Sequence, residues 1–261
     1  MIAVMGDACL LFRQVENDLF RCDVSGYGYR VASALAHKGV FPALFSPLGS
    51  DRAASAIVER MVSDEILFDP EISNLPLKTG IMIEYLDGQK IDLTSSSAAS
   101  ALSSDLLGEA LSVHTNIKCV HLSSRGLSLN PTASAFIDQS LFITPRPYIV
   151  VDLNEDSSNA LLSRSIETLM PYADLFIAKK EACPESVISN ARLVLLKSEG
   201  KVEIFKKGEL VASEDVKNTD DETFASTLLY TLEKDFFPSA DDDFSSYDVP
   251  LSILKEALRA L

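Results

Sequence analysis

Two runs of acidic residues are the first places where side chains stand close enough to share chemistry: Asp220-Asp221-Glu222 and Asp241-Asp242-Asp243. The first run directly precedes an apolar segment. Carboxylates in that position start helices, because they favour the exposed N–H groups of the first turn. The second run separates two helical segments; successive carboxylates repel, so it reads as a solvated loop, with a metal site as the alternative. Other candidates fall away on spacing. The three histidines, His37, His114 and His121, form no His-Glu-x-x-His pair for zinc hydrolysis. Cys9, Cys22, Cys119 and Cys183 include no Cys-x-x-Cys pair, and they read as reduced thiols that pack as small apolar groups. Gly26-x-Gly28 is too short to define a dinucleotide turn, and no Gly-x-x-x-x-Gly-Lys-Ser/Thr loop occurs.

The elements that would position a site follow from the hydrophobic pattern. Strand candidates are Ile2–Met5, Phe41–Leu48, Cys119–Leu122, Tyr148–Leu153, Leu175–Ile177 and Leu193–Leu196. Helical candidates lie between them: Tyr29–Lys38, Arg52–Ser63, Pro131–Leu141, Ala160–Leu169 and Cys183–Asn190. An apolar strand, a polar turn and an amphipathic helix, repeated, predict an α/β fold. Its sheet is doubly wound and mostly parallel, with helices on both faces. With no internal repeat and no low-complexity linker, residues 1–261 read as one domain.

Two antiparallel units interrupt this rhythm. Thr79–Leu86 and Gln89–Thr94 flank Asp87-Gly88, a pair that predicts a type I′ hairpin turn. Ile81, Ile83 and Tyr85 share one face of the first arm, as Ile91 and Leu93 do on the second. The unit reads as a small β-hairpin lid over a cleft, as a homodimer contact, or as an edge hairpin. Val202–Lys206 and Leu210–Ser213, joined by Lys207-Gly208-Glu209, form the second unit.

Charge and composition exclude some classes. A formal net charge of −15 argues against nucleic acid as partner, because its phosphates would be repelled at long range. No apolar run approaches the roughly 20 residues that span a membrane. The opening segment meets Asp7 without a basic lead-in, a poor secretory signal, so a cytoplasmic protein is expected.

The order of the pieces carries a resemblance. Ser25-Gly26-Tyr27-Gly28, ahead of the helix Val31–Lys38, resembles the Gly-Gly-rich turn and helix of the ribokinase-like (PfkB-type) carbohydrate kinases. Pro47-Leu48-Gly49-Ser50-Asp51 looks like that family's Gly-x-Asp strand end, and Thr79-Gly80 opens a hairpin where the family places its lid. Val151-Asp152-Leu153-Asn154 resembles the family's Asp-x-Asn after a central strand. Leu196-Lys197-Ser198-Glu199-Gly200 stands in the place of Thr-x-Gly-x-x-Gly, and Thr219-Asp220-Asp221-Glu222 in that of Gly-Ala-Gly-Asp. The resemblance covers nearly the whole chain.

It implies a reaction in which a sugar hydroxyl attacks the γ-phosphate of ATP with Mg²⁺ as cofactor. Glu222 then stands at the catalytic base, and Lys197, Gly200, Thr219, Asp220 and Asp221 line the nucleotide. Gly26, Arg30, Asp152 and Asn154 face the sugar, and Glu181 orders water on Mg²⁺. The departures are as telling. Both glycines of the phosphate turn are replaced, and the added carboxylates would oppose a phosphate by about 1–4 kcal/mol each. The family's sugar-gripping Asp falls at Leu11, its Asn at Arg30, an Arg at Asp156 and the Asn of its Asn-x-x-Glu at Ala178. Three readings stay open: a homologue with degraded or absent kinase activity, an active divergent sugar kinase using Glu222, or a binder of another small metabolite under the hairpin.

Overall fold

The computed structural model describes residues 1–114, 116–129, 132–140, 145–154, 160–217, 220–237 and 248–261. In chain order, β1 (Ile2–Met5) is followed by β2 (Cys9–Glu16), β3 (Leu19–Ser25), α1 (Tyr27–Ala36), β4 (Pro42–Phe45), α2 (Arg52–Ser63) and β5 (Leu67–Phe68). Next come β6 (Ile81–Glu84), β7 (Lys90–Asp92), α3 (Ser104–Val113), β8 (Cys119–Ser123), α4 (Ser124–Leu129), α5 (Thr132–Ser140) and β9 (Tyr148–Asp152). The remainder runs α6 (Ala160–Leu169), β10 (Leu175–Lys179), α7 (Glu185–Asn190), β11 (Leu193–Ser198), β12 (Lys201–Lys206), β13 (Glu209–Asp215), α8 (Asp221–Thr231) and α9 (Leu251–Arg259). No helix among the described residues is long and apolar enough to cross a membrane.

Among the described residues the main sheet has nine strands, ordered β13-β12-β11-β10-β9-β8-β1-β4-β5. Its seven strands from β11 to β5 are parallel, and β12 and β13 add an antiparallel edge. Strands buried on both faces read as continuous apolar runs, which is why β1, β8, β9 and β10 were legible in the sequence. One core layer joins Val4, Val150 and Ile177 to α1, α2, α8 and α9 through Leu35, Ile57, Phe224 and Leu254. The opposite layer joins Met5, Val151 and Phe176 to α3, α5, α6 and α7 through Leu107, Phe136, Ile166 and Val187.

The lid is larger than the expected hairpin. β2 pairs antiparallel with β3 and parallel with β6, giving a four-stranded sheet, β3-β2-β6-β7. The Asp87-Gly88 turn also differs from expectation. Gly88 alone takes positive φ, at 84°, and Tyr85 N donates to Gln89 O, so a three-residue loop replaces the type I′ turn. The type I′ signature belongs instead to Lys207 and Gly208, at φ 51° and 83°, between β12 and β13.

Two carboxylates fasten the fold where the lid leaves the sheet. Gly26, with φ 108° at the start of α1, supplies no side-chain cap; Asp7 Oδ1 replaces it, accepting from Tyr27 N at 3.0 Å and Gly28 N at 3.5 Å. Burial pushes the Asp7 carboxyl up, against the pull of Arg125 and the Gly28 N–H. Asp51 caps α2 through Ala54 N and also accepts from Thr79 N and Oγ1, at 3.0 and 2.7 Å, where the chain enters the lid. Burial opposes its ionisation, but the Thr79 and Ala54 donors and Lys78 outweigh that, holding the carboxyl below its ordinary value. A folded value below the unfolded one adds stability that is fully present above about pH 3.8 and lost as pH falls through the folded value. Acid unfolding followed by circular dichroism should therefore be shallower in Asp51→Asn than in the parent chain below that pH. Equal slopes would contradict the assignment.

Candidate functional site

Alternation along the parallel strands turns Asp152, Lys179 and Lys197, at the C-terminal ends of β9, β10 and β11, toward the layer that holds α1 and α8. The helix starts of α1 and α8 meet these strand ends, which is where an open α/β sheet binds its ligands. A cleft of about 440 Å³ lies there, lined by Lys179, Lys197, Glu181, Glu199 and the Asp220–Glu222 turn.

Each acid of that turn is engaged by the protein. Asp220 caps α8, its Oδ1 accepting from Thr223 N at 2.6 Å. Burial works against its ionisation, but the Thr223 donors with Lys197 and Arg30 hold its carboxyl below the ordinary value. Asp221 is gripped at both oxygens, Oδ1 by Lys197 Nζ and Oδ2 by Lys179 Nζ, each at 2.9 Å. Lys197 is buried, and its ammonium also lies 5.5 Å from the Phe224 ring centroid. Glu222 Oε1 accepts from Arg30 Nε, and Arg30 NH1 donates to Ser25 Oγ at 3.2 Å.

Deeper in, Asp152 is the centre of a buried polar group. Tyr27 Oη donates to its Oδ2 at 2.7 Å, and His121 Nε2 lies 3.0 Å from the same oxygen. Asn154 N donates to Oδ1 at 3.0 Å. Burial first, then the Asp152 carboxylate, pushes the Tyr27 phenol well above its ordinary value, so it stays a donor. The side-chain amide of Asn154 and Nδ1 of His121 are buried without a hydrogen-bond partner. Arg125 of α4 donates to Asp92 Oδ2 of the lid and to Thr94 Oγ1, which fastens the lid to the body.

The structure thus brings together Arg30, Asp152, Asn154, Glu181, Lys197, Asp220, Asp221 and Glu222. Gly26 serves as the α1 start, and Gly200, at φ 67°, turns β11 into β12. Thr219, Asp156 and the 241–243 acids lie outside the described residues. Lys179, Tyr27 and His121 were not anticipated. Nothing local marks them, since Tyr27 meets Asp152 across 125 positions.

The fit to Mg²⁺ is poor. Among the described residues no group of three His, Cys, Asp or Glu side chains is placed to hold a metal, and two ammonium groups occupy the cleft beside the acids.

No family model matches the sequence, and no curated protein matches it. Solved structures do match. A fructokinase from Xylella fastidiosa superposes with a TM-score of 0.72 at 16% identity, over 99% of this chain and 90% of that one. A PfkB protein from Polaromonas sp. JS666 gives 0.71 at 18%, over 89% and 88%. An uncharacterized sugar kinase from Pyrococcus horikoshii gives 0.68 at 18%, over 89% and 84%. The chain therefore has the ribokinase-like fold of the PfkB-type sugar kinases, a doubly wound sheet with a β lid.

Proposed function

We propose that this chain is a divergent homologue of the PfkB-type carbohydrate kinases in which ATP-dependent sugar phosphorylation is absent or strongly reduced. The observation that carries this reading is the Asp221 carboxylate held between Lys179 and Lys197, in the cleft where a transferred phosphate would settle. Phosphoryl transfer needs a base for the attacking hydroxyl, donors for the phosphate oxygens and a cation to neutralise charge. Glu222, the base candidate, is held in an ion pair with Arg30. Both ammonium groups that would meet phosphate oxygens already hold a carboxylate. Asp152 accepts from Tyr27 and the Asn154 backbone, and the Tyr27 ring is buried beside it, so the sugar position is filled from within.

What remains is a fold suited to binding and assembly. On the lid, Phe20, Ile91 and Leu93 are exposed apolar side chains of the kind that would support a homodimer contact. The free thiols accord with a cytoplasmic setting.

Calorimetric titration with Mg²⁺-ATP, followed by ADP release over a panel of pentoses and hexoses, tests the reading. Neither saturable binding nor turnover is expected. Micromolar binding with turnover that Glu222→Gln abolishes would establish instead an active kinase with Glu222 as base.

A further inference from the structure

We propose that a second cleft, at the N-terminal ends of β9, β10 and β11, binds the phosphate group of a small phosphorylated metabolite. This cleft lies at the opposite end of the strands from Asp152, Lys179 and Lys197, and it shares no residue with the α8 turn. Its volume is about 740 Å³, and Arg146, Tyr172, Asp174, Arg192, Lys207 and Asp248 line it.

Adjacent strands bring the charges of this cleft together. Arg146 precedes β9, Asp174 precedes β10, Arg192 precedes β11, and Lys206 and Lys207 stand where β12 turns toward β13. Asp174 is buried and anchors two guanidinium groups. Its Oδ2 accepts from Arg146 NH1 and its Oδ1 from Arg192 NH1, each at 3.0 Å. Asp248 accepts from Arg192 Nε at 2.7 Å and pairs with Lys206 Nζ at 2.6 Å. Four cations (Arg146, Arg192, Lys206 and Lys207) thus stand against two carboxylates, a local excess of positive charge in a chain of net charge −15. Among the described residues Lys207 makes no ion pair. Its backbone is also unusual. At φ 51° it takes the first position of a type I′ turn, which favours Asn, Asp or Gly. A lysine held there at a conformational cost points to a use for its side chain at the cleft. Guanidinium groups meet phosphate oxygens in pairs, and a lysine adds a point charge. The exposed Tyr172 and its neighbour Met170 offer an apolar wall to the carbon part of an ester.

Calorimetric titration of the full chain with phenyl phosphate and with inorganic phosphate, at constant ionic strength, tests the site. Saturable binding of phenyl phosphate is expected. Asn suits the turn better than lysine, so Lys207→Asn should melt at or above the temperature of the parent chain. Its dissociation constant should nevertheless rise roughly tenfold, the loss of one opposite charge near the phosphate. Lys90→Asn, an equal loss of charge on the lid, should leave the constant unchanged. Weaker binding of inorganic phosphate, with the difference lost in Tyr172→Ala, would identify the ligand as an ester. Equal binding of the two probes would identify the same site as one for the free ion. No saturable binding would overturn the site, as would a constant that Lys207→Asn leaves unchanged or that both lysine variants raise equally. None of these results bears on the kinase reading, which ATP binding and sugar turnover decide separately.

Discussion

Asp152→Ala should lower the free energy of unfolding by about 2–4 kcal/mol, because it leaves two buried donors unsatisfied at roughly 1–3 kcal/mol each. Asp152 is fully buried and takes the Tyr27 hydroxyl, the Asn154 N–H and the approach of His121 Nε2. Its removal leaves a phenol and an imidazole nitrogen unsatisfied where water does not reach. Tyr27→Phe removes only one donor from the group and should cost about 1–2 kcal/mol. Urea denaturation monitored at several wavelengths measures both. The result also bears on function. A carboxylate kept for substrate is often tolerated at the expense of stability, so its loss is neutral or stabilising. A loss of less than about 1 kcal/mol would mean that Asp152 is not part of the structural core of the site.

Gly28→Ala should be costly at a position where helix propensity alone favours the change by about 1 kcal/mol. A Cβ on Gly28 would lie 2.7 Å from Gly6 Cα and 2.9 Å from Gly6 C, both backbone atoms that cannot rotate aside. Overpacking of this kind costs about 1–3 kcal/mol. Moving α1 away from β1 also stretches the Asp7 bond to Tyr27 N, a cap worth about 1 kcal/mol. Steric cost therefore wins, with a net loss of about 1–3 kcal/mol. In a chain of this size that lowers Tm by about 2–10 °C, and a shift under about 2 °C would show that the two backbones can separate freely.

The parallel core was legible because its strands are uniformly apolar, and α2 and α6 because their apolar residues recur at helical spacing. The second lid hairpin was not. β2 and β3 carry Arg13, Gln14, Glu16, Arg21 and Asp23 among their apolar residues, which masks the alternation that marks a strand. α3 escaped for a related reason, since Gly108 sits at its centre and weakens the local helical signal. In the site, the acids before α8 and the lysine at position 197 stood out as departures from a known pattern. Lys179, Tyr27 and His121 did not, because they reach the site only through sheet register and the docking of α1 against α8, and the pairing of Arg30 with Glu222 was not legible for the same reason. The number of carboxylates could be counted in the sequence, but their neutralisation could not.

β1 lies between β4 and β8, one drawn from 40 residues downstream and the other from 117. During synthesis at about 5–20 residues per second, β8 leaves the ribosome roughly 6–23 s after β1. For that interval the growing chain holds a half-built sheet whose free edge is Ile2-Ala3-Val4-Met5, without a charge or proline to guard it. Residues that end at the centre of the mature protein thus spend their first seconds at its boundary. The chain is therefore most open to misassociation before its second half exists, and chaperone capacity during translation should govern its yield.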